Sequence, residues 1–463
     1  MSLFNPMKMK QNRSLLAVLL CLTFIIFSTG CKKLIETGSP KNQLSTDKVF
    51  LDSATANAVM VNVYARIDKS FQPVFSKYMG MYTDEYINAT ETEYMQSLVA
   101  PGNGFNQNAW THLYFTIYQC NDILEQLPLA ENLTAAFKQQ MEAEARFLRA
   151  FAYFNLVNMY GDVPLLLTTD VELNRQAPRT SADQIYQTII KDLNAAKQGL
   201  STIPATVKER ANPNACSALL SRVYLYLKQW ELAEAEATSV INSGFYNLTD
   251  PIANIFKSGS KETILQLWTQ NGFITDAPNF IPSSATTAPT YFLSPALYAT
   301  FESNDLRKTS WIGISNVATA NGTVVHRYPA KYKNRIANTT SPEYLVVLRL
   351  AEQYLIRAEA RVMKNKLTGT GSAAEDLNKI RNRAGLGDTP AQTSETLLAA
   401  ISKERRVELF TEWGDRFFDL KRAGQLNQLL SAKPNWKPFH RLWPVPQKEL
   451  LLNPAMNPQN TGY

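Results

Sequence analysis

Residues 146–165 read RFLRAFAYFNLVNMYGDVPL, and this stretch decides the fold of the chain. Its apolar side chains recur at helical spacing on one face, at Phe147, Phe151, Phe154 and Val157. Gly161 suits the left-handed position that ends many helices, and Pro164 prevents continuation. The pattern predicts a long amphipathic helix over residues 135–160.

Helical periodicity continues on both sides of this stretch. It predicts helices at about 49–67, 110–127, from Ser181 onward, 214–228, 230–242, 343–363, 373–383 and 394–413. Ser181 and Gln184 have the spacing of a capping box. Alanines in the fourth and fifth of these helices allow close approach, and this pair resembles a tetratricopeptide (TPR) unit, a helix-turn-helix repeat of ~34 residues.

Residues 250–340 interrupt the helical pattern. The sequence ILQLW at 264–268 predicts a short strand, and residues 311–333 predict a hairpin that turns at Asn321-Gly322. The predicted fold is therefore mainly α, with TPR-like helix pairs forming an α-superhelix. A loop-rich, irregular insert contains short strands and a hairpin.

The first 31 residues have the order of a secretory signal peptide. A basic start is followed by an apolar run at 15–27 and by small residues that end on Cys31. The apolar run is shorter than the ~20 residues of a membrane-spanning helix. Small residues before a cysteine resemble a bacterial lipobox, so we expect removal of residues 1–30 and lipidation of Cys31. The alternative is an ordinary cleaved signal in which the cysteine is incidental.

Composition limits the remaining possibilities. Without residues 1–30, 433 residues remain, and no obvious linker divides them, so one large domain or two closely packed ones are expected. Without the three basic leader residues the net charge falls from +7 to +4, and the basic residues are scattered. This pattern does not favour nucleic-acid binding. Cys120 and Cys216 either form a disulfide or are two buried thiols.

No catalytic motif was found in the sequence. The motifs HExxH, GxSxG, GxGxxG and the Walker loop are absent, and His112, His326 and His440 lie far apart. Glycosidase chemistry needs two carboxylates on either side of a sugar. The adjacent pair Asp84-Glu85 would provide only one half of such a site. We therefore expect no enzymatic activity, no cofactor and no metal.

An irregular segment at 81–108 has the composition of a binding loop. Loops on a rigid scaffold commonly carry binding sites, and aromatic rings with amide and carboxylate neighbours suit sugars. The candidate ligand-binding residues in this segment are Asp84, Tyr86, Tyr94 and Asn103.

Several motifs, in order along the chain, resemble the SusD/RagB family of surface lipoproteins. They are residues 145–166, RLAEQYLIRAEA at 349–360, LNKIRNRAGL at 377–386, ERRVEL at 404–409, LWPVP at 442–446 and the ending at 453–463. Within these blocks Glu408, Arg416 and Asp419 have helical spacings at which charges commonly brace packed helices. We interpret these three residues as structural.

The resemblance implies a lipid-anchored outer-membrane protein facing the cell exterior. Residues 31–48 would form its tether, and 49–463 a single SusD-like domain with an N-terminal part at about 49–230 and a C-terminal part at about 250–463. It implies nutrient capture, most readily of a glycan, and delivery to a SusC-like TonB-dependent transporter. In the family, the non-helical insert contributes to the ligand face, which adds Trp268, Tyr291 and Trp311 to the candidates.

Two other functions remain open at this stage. RagB-like members of the family handle peptides, so the oligomeric nutrient could be a peptide. Stacked helix pairs also form concave protein-binding surfaces, which would make the chain a scaffold without a small ligand. The sequence leaves open the membrane leaflet that holds the lipid and any bound calcium.

Overall fold

The computed structural model describes residues 49–67, 74–88 and 90–463. The predicted signal peptide, Cys31 and the tether lie outside these residues. No helix among the described residues is long and apolar enough to cross a membrane.

Helices form most of the described chain. The α-helices are α1 (Ser53–Arg66), α2 (Gly80–Tyr82), α3 (Thr92–Met95), α4 (Gly104–Gln126), α5 (Ala135–Tyr160), α6 (Val171–Asn174), α7 (Ala182–Gly199), α8 (Pro213–Tyr226), α9 (Trp230–Ile241), α10 (Asp276–Phe280), α11 (Pro295–Thr300), α12 (Leu306–Ser310), α13 (Leu350–Met363), α14 (Ala373–Arg383), α15 (Ser394–Leu409), α16 (Asp415–Arg422), α17 (Leu426–Leu430) and α18 (Gln447–Leu452). A π-helical turn covers Val74–Met79, and 3-10 turns cover Leu127–Leu129, Ile252–Asn254, Pro438–Arg441 and Pro454–Met456.

The strands are short and pair antiparallel in four two-stranded sheets. They are β1 (Tyr86–Ile87), β2 (Val163–Pro164), β3 (Arg179–Thr180), β4 (Thr263–Leu267), β5 (Phe292–Leu293), β6 (Ile312–Thr319), β7 (Gly322–Pro329) and β8 (Leu345–Arg349). The pairs are β1 with β5, β2 with β3, β4 with β8, and β6 with β7. The mainly α fold with a hairpin-bearing insert is therefore confirmed.

Helix α5 is the centre of the N-terminal half. It packs against α4 and α7, and from Ala143 to its end nearly every side chain is buried. Its bounds match the prediction because local signals fix both ends. The Thr134 side chain accepts a hydrogen bond from the Phe137 N–H, and Gly161, at φ +77°, donates its N–H to the Val157 carbonyl. Gly199 allows the close crossing of α7, since a Cβ there would lie 2.7 Å from the Cβ of Ala143.

The TPR-like part consists of α8, α9, α13, α14 and α15, each packed on the next. A second apolar core lies between α13, α14 and α15, around Leu355, Leu377 and Ile401. These helices carry the insert between α9 and α13. The insert is attached to them through β8, which runs directly into α13.

Three helix predictions need correction at their ends. Helix α4 begins at Gly104 and not at Trp110, so the last residues of the segment 81–108 are helical and not irregular. Residues 345–349 form strand β8 and not the first turn of a helix, because they pair with β4 and are buried on both faces. Helix α15 ends at Leu409 and not at Trp413, since Thr411 and Trp413 adopt positive φ angles of 68° and 49°. Positive φ is incompatible with a continuing right-handed helix.

Two local turn predictions are partly confirmed. Ser181 caps α7 by accepting a hydrogen bond from the Gln184 N–H, but its hydroxyl also donates to the Gln184 side chain. That side chain is therefore not the reciprocal partner of a capping box. In the hairpin turn Gly322, with φ +109°, takes the positive angle, and Asn321 does not.

Buried ion pairs connect the C-terminal helices to the insert. The carboxylate of Glu408 accepts hydrogen bonds from the guanidinium groups of Arg307 at 2.7 Å, Arg349 at 2.5 Å and Arg383. Asp419 accepts hydrogen bonds from Arg405 and Arg422. The structural interpretation of Glu408 and Asp419 agrees with these contacts.

Cys120 and Cys216 are free, buried thiols, which excludes the disulfide alternative. Burial raises the pKa of Cys120 to about 12 and also raises the pKa of Cys216. Because the thiolate is the reactive form, we expect neither thiol to react with Ellman's reagent in native protein at pH 8. Both should react after unfolding in guanidinium. Fast release of one equivalent from native protein would contradict this prediction.

Candidate functional site

Four of the five predicted ligand-binding aromatics are at most 3% exposed, namely Tyr86, Tyr94, Tyr291 and Trp311. Trp311 is 1% exposed, donates its Nε1–H to the Ile252 carbonyl at 2.9 Å and packs against Phe256. Tyr86 is 2% exposed and packs against Phe280. With their ring faces covered, neither side chain is available for stacking against a ligand in this structure. Their position does not support the predicted ligand role.

Tyr94 and Asn103 lie together beneath an aromatic surface. The ring of Tyr78 lies 4.5 Å from that of Tyr94 and 4.1 Å from that of Phe105, centroid to centroid. Trp443, fully buried, supports Phe105 from below at 5.8 Å. Tyr94 is 3% exposed, whereas Tyr78 and Phe105 are half-buried. The two half-buried rings therefore present the accessible aromatic area.

Asn103 has a structural role that the sequence also explains. Its side-chain oxygen accepts the Asn106 N–H at 2.8 Å and so caps α4. Its amide donates to Glu93 at 3.0 Å and to the Tyr94 hydroxyl at 3.2 Å. These bonds fix Glu93 and Tyr94 relative to the start of the helix.

Tyr291 connects the insert to the same surface. Its hydroxyl donates to Glu91 at 2.7 Å, and the ammonium group of Lys77 lies 5.2 Å from its ring and 5.0 Å from that of Tyr78. Burial and then the charges of Glu91 and Glu93 raise the pKa of Tyr78, so its hydroxyl stays protonated and able to donate. We call the accessible residues Lys77, Tyr78, Glu91, Glu93 and Phe105 the Tyr78 surface.

Trp268 stands apart from the Tyr78 surface. It follows β4 directly and is 49% exposed, so its ring is open to a ligand. A different part of the insert lies near the Tyr78 surface: the ring of Phe280 packs against that of Tyr291, with their centroids 5.6 Å apart. The structure thus brings Tyr94, Asn103 and Tyr291 together and leaves Trp268 as a separate exposed ring.

Asp84 holds the binding segment to the C-terminal helices. Its carboxylate accepts hydrogen bonds from Arg406 at 2.5 Å and Arg416 at 3.0 Å. Burial opposes the charge, but Arg416 and Arg406 outweigh it and lower the pKa of Asp84. Next to it, Ser294 at the start of α11 donates to the Asp84 carbonyl. Both carboxylate oxygens are already paired, so the contacts indicate a positioning role and not the predicted direct ligand contact.

Glu85 makes stability depend on pH. It is fully buried, and burial together with the Asp84 charge raises its pKa from 4.5 to about 7. Its Oε1 has no hydrogen-bond partner among the described residues. Because the folded state binds this proton more tightly than the unfolded state does, protonation of Glu85 stabilises the fold. The stabilisation is complete below pH 4.5 and is lost as the pH rises through about 7.

We therefore expect Glu85→Gln, which mimics the protonated form, to be more stable than the parent at pH 8. The expected difference in unfolding free energy is on the order of 3 kcal/mol. At pH 4.5 the two proteins should differ much less. Urea unfolding at both pH values tests this, and an equal difference at both would refute the assignment to Glu85.

The sequence did not indicate Lys77, Tyr78, Glu91 or Glu93. Lys77 and Tyr78 lie in the π-helical turn Val74–Met79, just before the segment that composition singled out. Such turns are rare and occur often at functional sites, but no local sequence signal predicts them. The spacing of Tyr78 and Tyr82 would have placed both on one helical face, without showing which is buried.

The Tyr78 surface suits binding more than catalysis. It offers flat apolar rings, two carboxylates and one ammonium group, all on segments attached to α4 and β5. No group of three or more metal-ligating side chains occurs in the part of the chain that the structure describes.

A cavity of about 850 Å³ lies elsewhere, where the C-terminal segment wraps around the end of α5. It is lined by Asp162, Arg179, Phe439 and Arg441, among others. The Arg179 guanidinium is already bonded to the carbonyls of Asp162 and Pro458. These bonds give Arg179 a structural role in fixing the C-terminal segment, so we place the candidate site at the Tyr78 surface.

A TPR-like helical scaffold with an aromatic loop surface defines a binding protein of the helical-repeat class. Residues 36–225 match a family model described as "Starch-binding associating with outer membrane", and residues 294–463 match one described as "SusD family". The chain belongs to the SusD/RagB family, as its motifs predicted.

Relatives and solved structures agree over nearly the whole chain. SusD-like protein P2 of Formosa agariphila is 26% identical, covering 96% of this chain and 99% of its own. The fold is similar to that of a laminarin-binding SusD-like protein, with a TM-score of 0.73 at 24% identity, covering 89% of this chain and 99% of the other. It is equally similar to surface glycan-binding protein A from Bacteroides uniformis, with a TM-score of 0.73 at 22% identity, covering 88% and 99%.

Proposed function

We propose that this protein is an outer-membrane lipoprotein that binds an oligomeric glycan at the cell surface and delivers it to a SusC-like TonB-dependent transporter. The observation that carries the proposal is the Tyr78 surface, where two half-buried rings lie beside carboxylates that can accept hydroxyl hydrogen bonds. Membership of the SusD/RagB family supports the association with the outer membrane, and Cys31 is the proposed lipid attachment site.

The chemistry of the Tyr78 surface fits a sugar chain. The apolar faces of sugar rings stack on flat aromatic rings such as Tyr78 and Phe105, and Phe105 packs in turn against the buried Trp443. Glu91 and Glu93 are each fixed by a hydrogen bond, from Tyr291 and Asn103, and so retain lone pairs in a defined direction. A prearranged acceptor loses little entropy when a sugar hydroxyl binds to it.

Two proteins of the same fold are named for glycan binding. One binds laminarin, and the other is named a surface glycan-binding protein. Each of them is less than 25% identical to this chain, so the comparison shows a shared fold and not a shared ligand. The proposal of a glycan therefore rests on the Tyr78 surface within that fold.

Native affinity electrophoresis tests the proposal. The chain from residue 32 onward is run in gels that contain one polysaccharide each, with serum albumin as the control for sieving. Retardation by a polysaccharide supports glycan binding. Heat from oligopeptide mixtures in calorimetry, with no retardation by any polysaccharide, would favour the peptide alternative.

Delivery to a transporter needs a separate experiment. The full-length lipoprotein should co-purify from detergent-solubilised outer membranes with a large β-barrel protein. Co-purification with a soluble partner alone would favour the scaffold function. Incubation with the bound polysaccharide should release no reducing sugar, and release would indicate an enzyme.

A further inference from the structure

A second aromatic position on the insert carries an excess of positive charge. The ammonium group of Lys308 lies 4.7 Å from the ring centre of Tyr298, and the guanidinium carbon of Arg327 lies 4.1 Å from the same centre. All three side chains are half-buried. We call Tyr298, Lys308 and Arg327 the Tyr298 cluster.

The two cations of the Tyr298 cluster have no counter-charge in the part of the chain that the structure describes. Neither forms an ion pair with a carboxylate in the described ranges 49–67, 74–88 and 90–463. The Nε of Arg327 is also buried without a hydrogen-bond partner there. Nearby Arg307, by contrast, has three carboxylate partners. Two like charges on one ring repel each other, and a bound anion would remove that repulsion.

The Tyr298 cluster lies on the insert, and the insert contacts the Tyr78 surface through Tyr291. Tyr298 lies in α11, which follows β5 directly, and Tyr291 immediately precedes β5. Strand β5 pairs with β1 on one side and contacts β7, the strand of Arg327, on the other. Strand β5 therefore connects the two positions within the fold.

The charges of the two positions differ. At the Tyr78 surface Lys77 is accompanied by Glu91 and Glu93, so positive charge is not in excess there. At the Tyr298 cluster the excess is two charges. An anionic group of a ligand would accordingly bind at the Tyr298 cluster, while an uncharged ring could stack on Tyr78.

We infer that the ligand is an acidic glycan whose carboxylate or sulfate groups bind between Lys308 and Arg327. This inference rests on the proposed function, because it specifies the chemical class of the glycan that the protein binds. The guanidinium group offers paired donors that suit a carboxylate or a sulfate, and the neighbouring Ile314, 52% exposed and opposite Arg327 in the hairpin, offers apolar area.

Matched polysaccharide pairs test the inference. Affinity gels of the chain from residue 32 onward would contain polygalacturonate or its methyl ester, and a sulfated galactan or the same galactan after desulfation. We expect retardation by an anionic member and not by its neutral partner, with loss of retardation at high salt. The first pair tests carboxylate and the second tests sulfate.

The variant Lys308→Gln with Arg327→Gln should weaken binding of the anionic polymer about tenfold or more. The control Lys379→Gln with Lys448→Gln removes the same charge from exposed positions on α14 and α18 and should bind like the parent. Lys308→Arg keeps the charge and should retain binding. Circular dichroism melting checks that all variants fold.

The outcomes separate the inference from the proposed function. Equal retardation of the parent by a neutral polymer and its charged partner would overturn the acidic-glycan inference and leave glycan binding intact. An equal loss in the control variant would assign the effect to net charge and overturn the inference. No retardation by any polysaccharide would overturn both.

Discussion

Glu408→Leu is expected to lower the free energy of unfolding by about 3–5 kcal/mol, the cost typical of leaving buried charges without their partner. Glu408 is fully buried, and its two oxygens accept hydrogen bonds from Arg307, Arg349 and Arg383. Burial alone would raise its pKa, but the three guanidinium groups outweigh burial and lower the pKa well below 4.5. Removing this carboxylate takes away the partner that the three buried guanidinium groups share, while each keeps at least one other carboxylate.

Urea unfolding followed by circular dichroism at pH 7 measures this effect. Glu408→Gln keeps the shape and part of the hydrogen bonding, and its loss should be smaller than that of the leucine variant. Glu172→Ala, which breaks the exposed pair with Arg175, is the control and should change stability by less than about 1 kcal/mol. A Glu408→Leu variant that unfolds at the same urea concentration as the parent would contradict the prediction.

The same carboxylate gives a pH dependence of known sign. Since the pKa of Glu408 is lower in the folded state, its stabilisation is present above pH 4.5 and is lost as the pH falls through the folded value. This is opposite to Glu85, whose stabilisation is lost as the pH rises from 4.5 to about 7. The two groups together favour an intermediate pH of maximal stability.

Local signals explain what the sequence could predict. Helix α5 has its cap at Thr134, its end at Gly161 and its apolar face within one stretch, so both bounds follow from neighbouring residues. The bracing role of Glu408 also follows from its spacing within α15. Its partners do not, because they come from three other segments far along the chain.

Strand β8 shows the limit of periodicity. Residues 345–348 form an apolar run before a clear helix, and such a run can be either strand or buried helix. Its pairing partner β4 lies about eighty residues earlier, joined to it by the whole insert. Only this non-local pairing makes the segment extended.

The candidate site was predicted at the level of the segment and not of the side chain. Composition located the loop that carries Tyr94 and Asn103, and the family resemblance added Tyr291. Whether a given ring is buried depends on distant residues, as Phe280 covers Tyr86 and Phe256 covers Trp311. Composition cannot distinguish these rings from Tyr78, which remains half open.

Tyr78→Ala with Phe105→Ala is expected to abolish retardation by the polysaccharide that the parent binds. The two rings contribute the accessible apolar area of the Tyr78 surface and contact each other, tilted by 45° with their centroids 4.1 Å apart. Loss of a central aromatic pair typically costs 2 kcal/mol or more, which corresponds to a loss of affinity of about thirtyfold. Affinity electrophoresis over a range of polysaccharide concentrations measures the change.

Matched variants separate stacking from folding. Phe115→Ala removes an aromatic ring, 36% exposed, from α4 outside the Tyr78 surface and should bind like the parent. Tyr94→Phe removes only the hydroxyl that accepts from Asn103, and should weaken binding less than the double variant. Trp268→Ala tests the isolated exposed ring. If Trp268→Ala abolished binding and the double variant did not, the ligand would stack on the opposite end of the insert, and the Tyr78 surface would be a structural cluster.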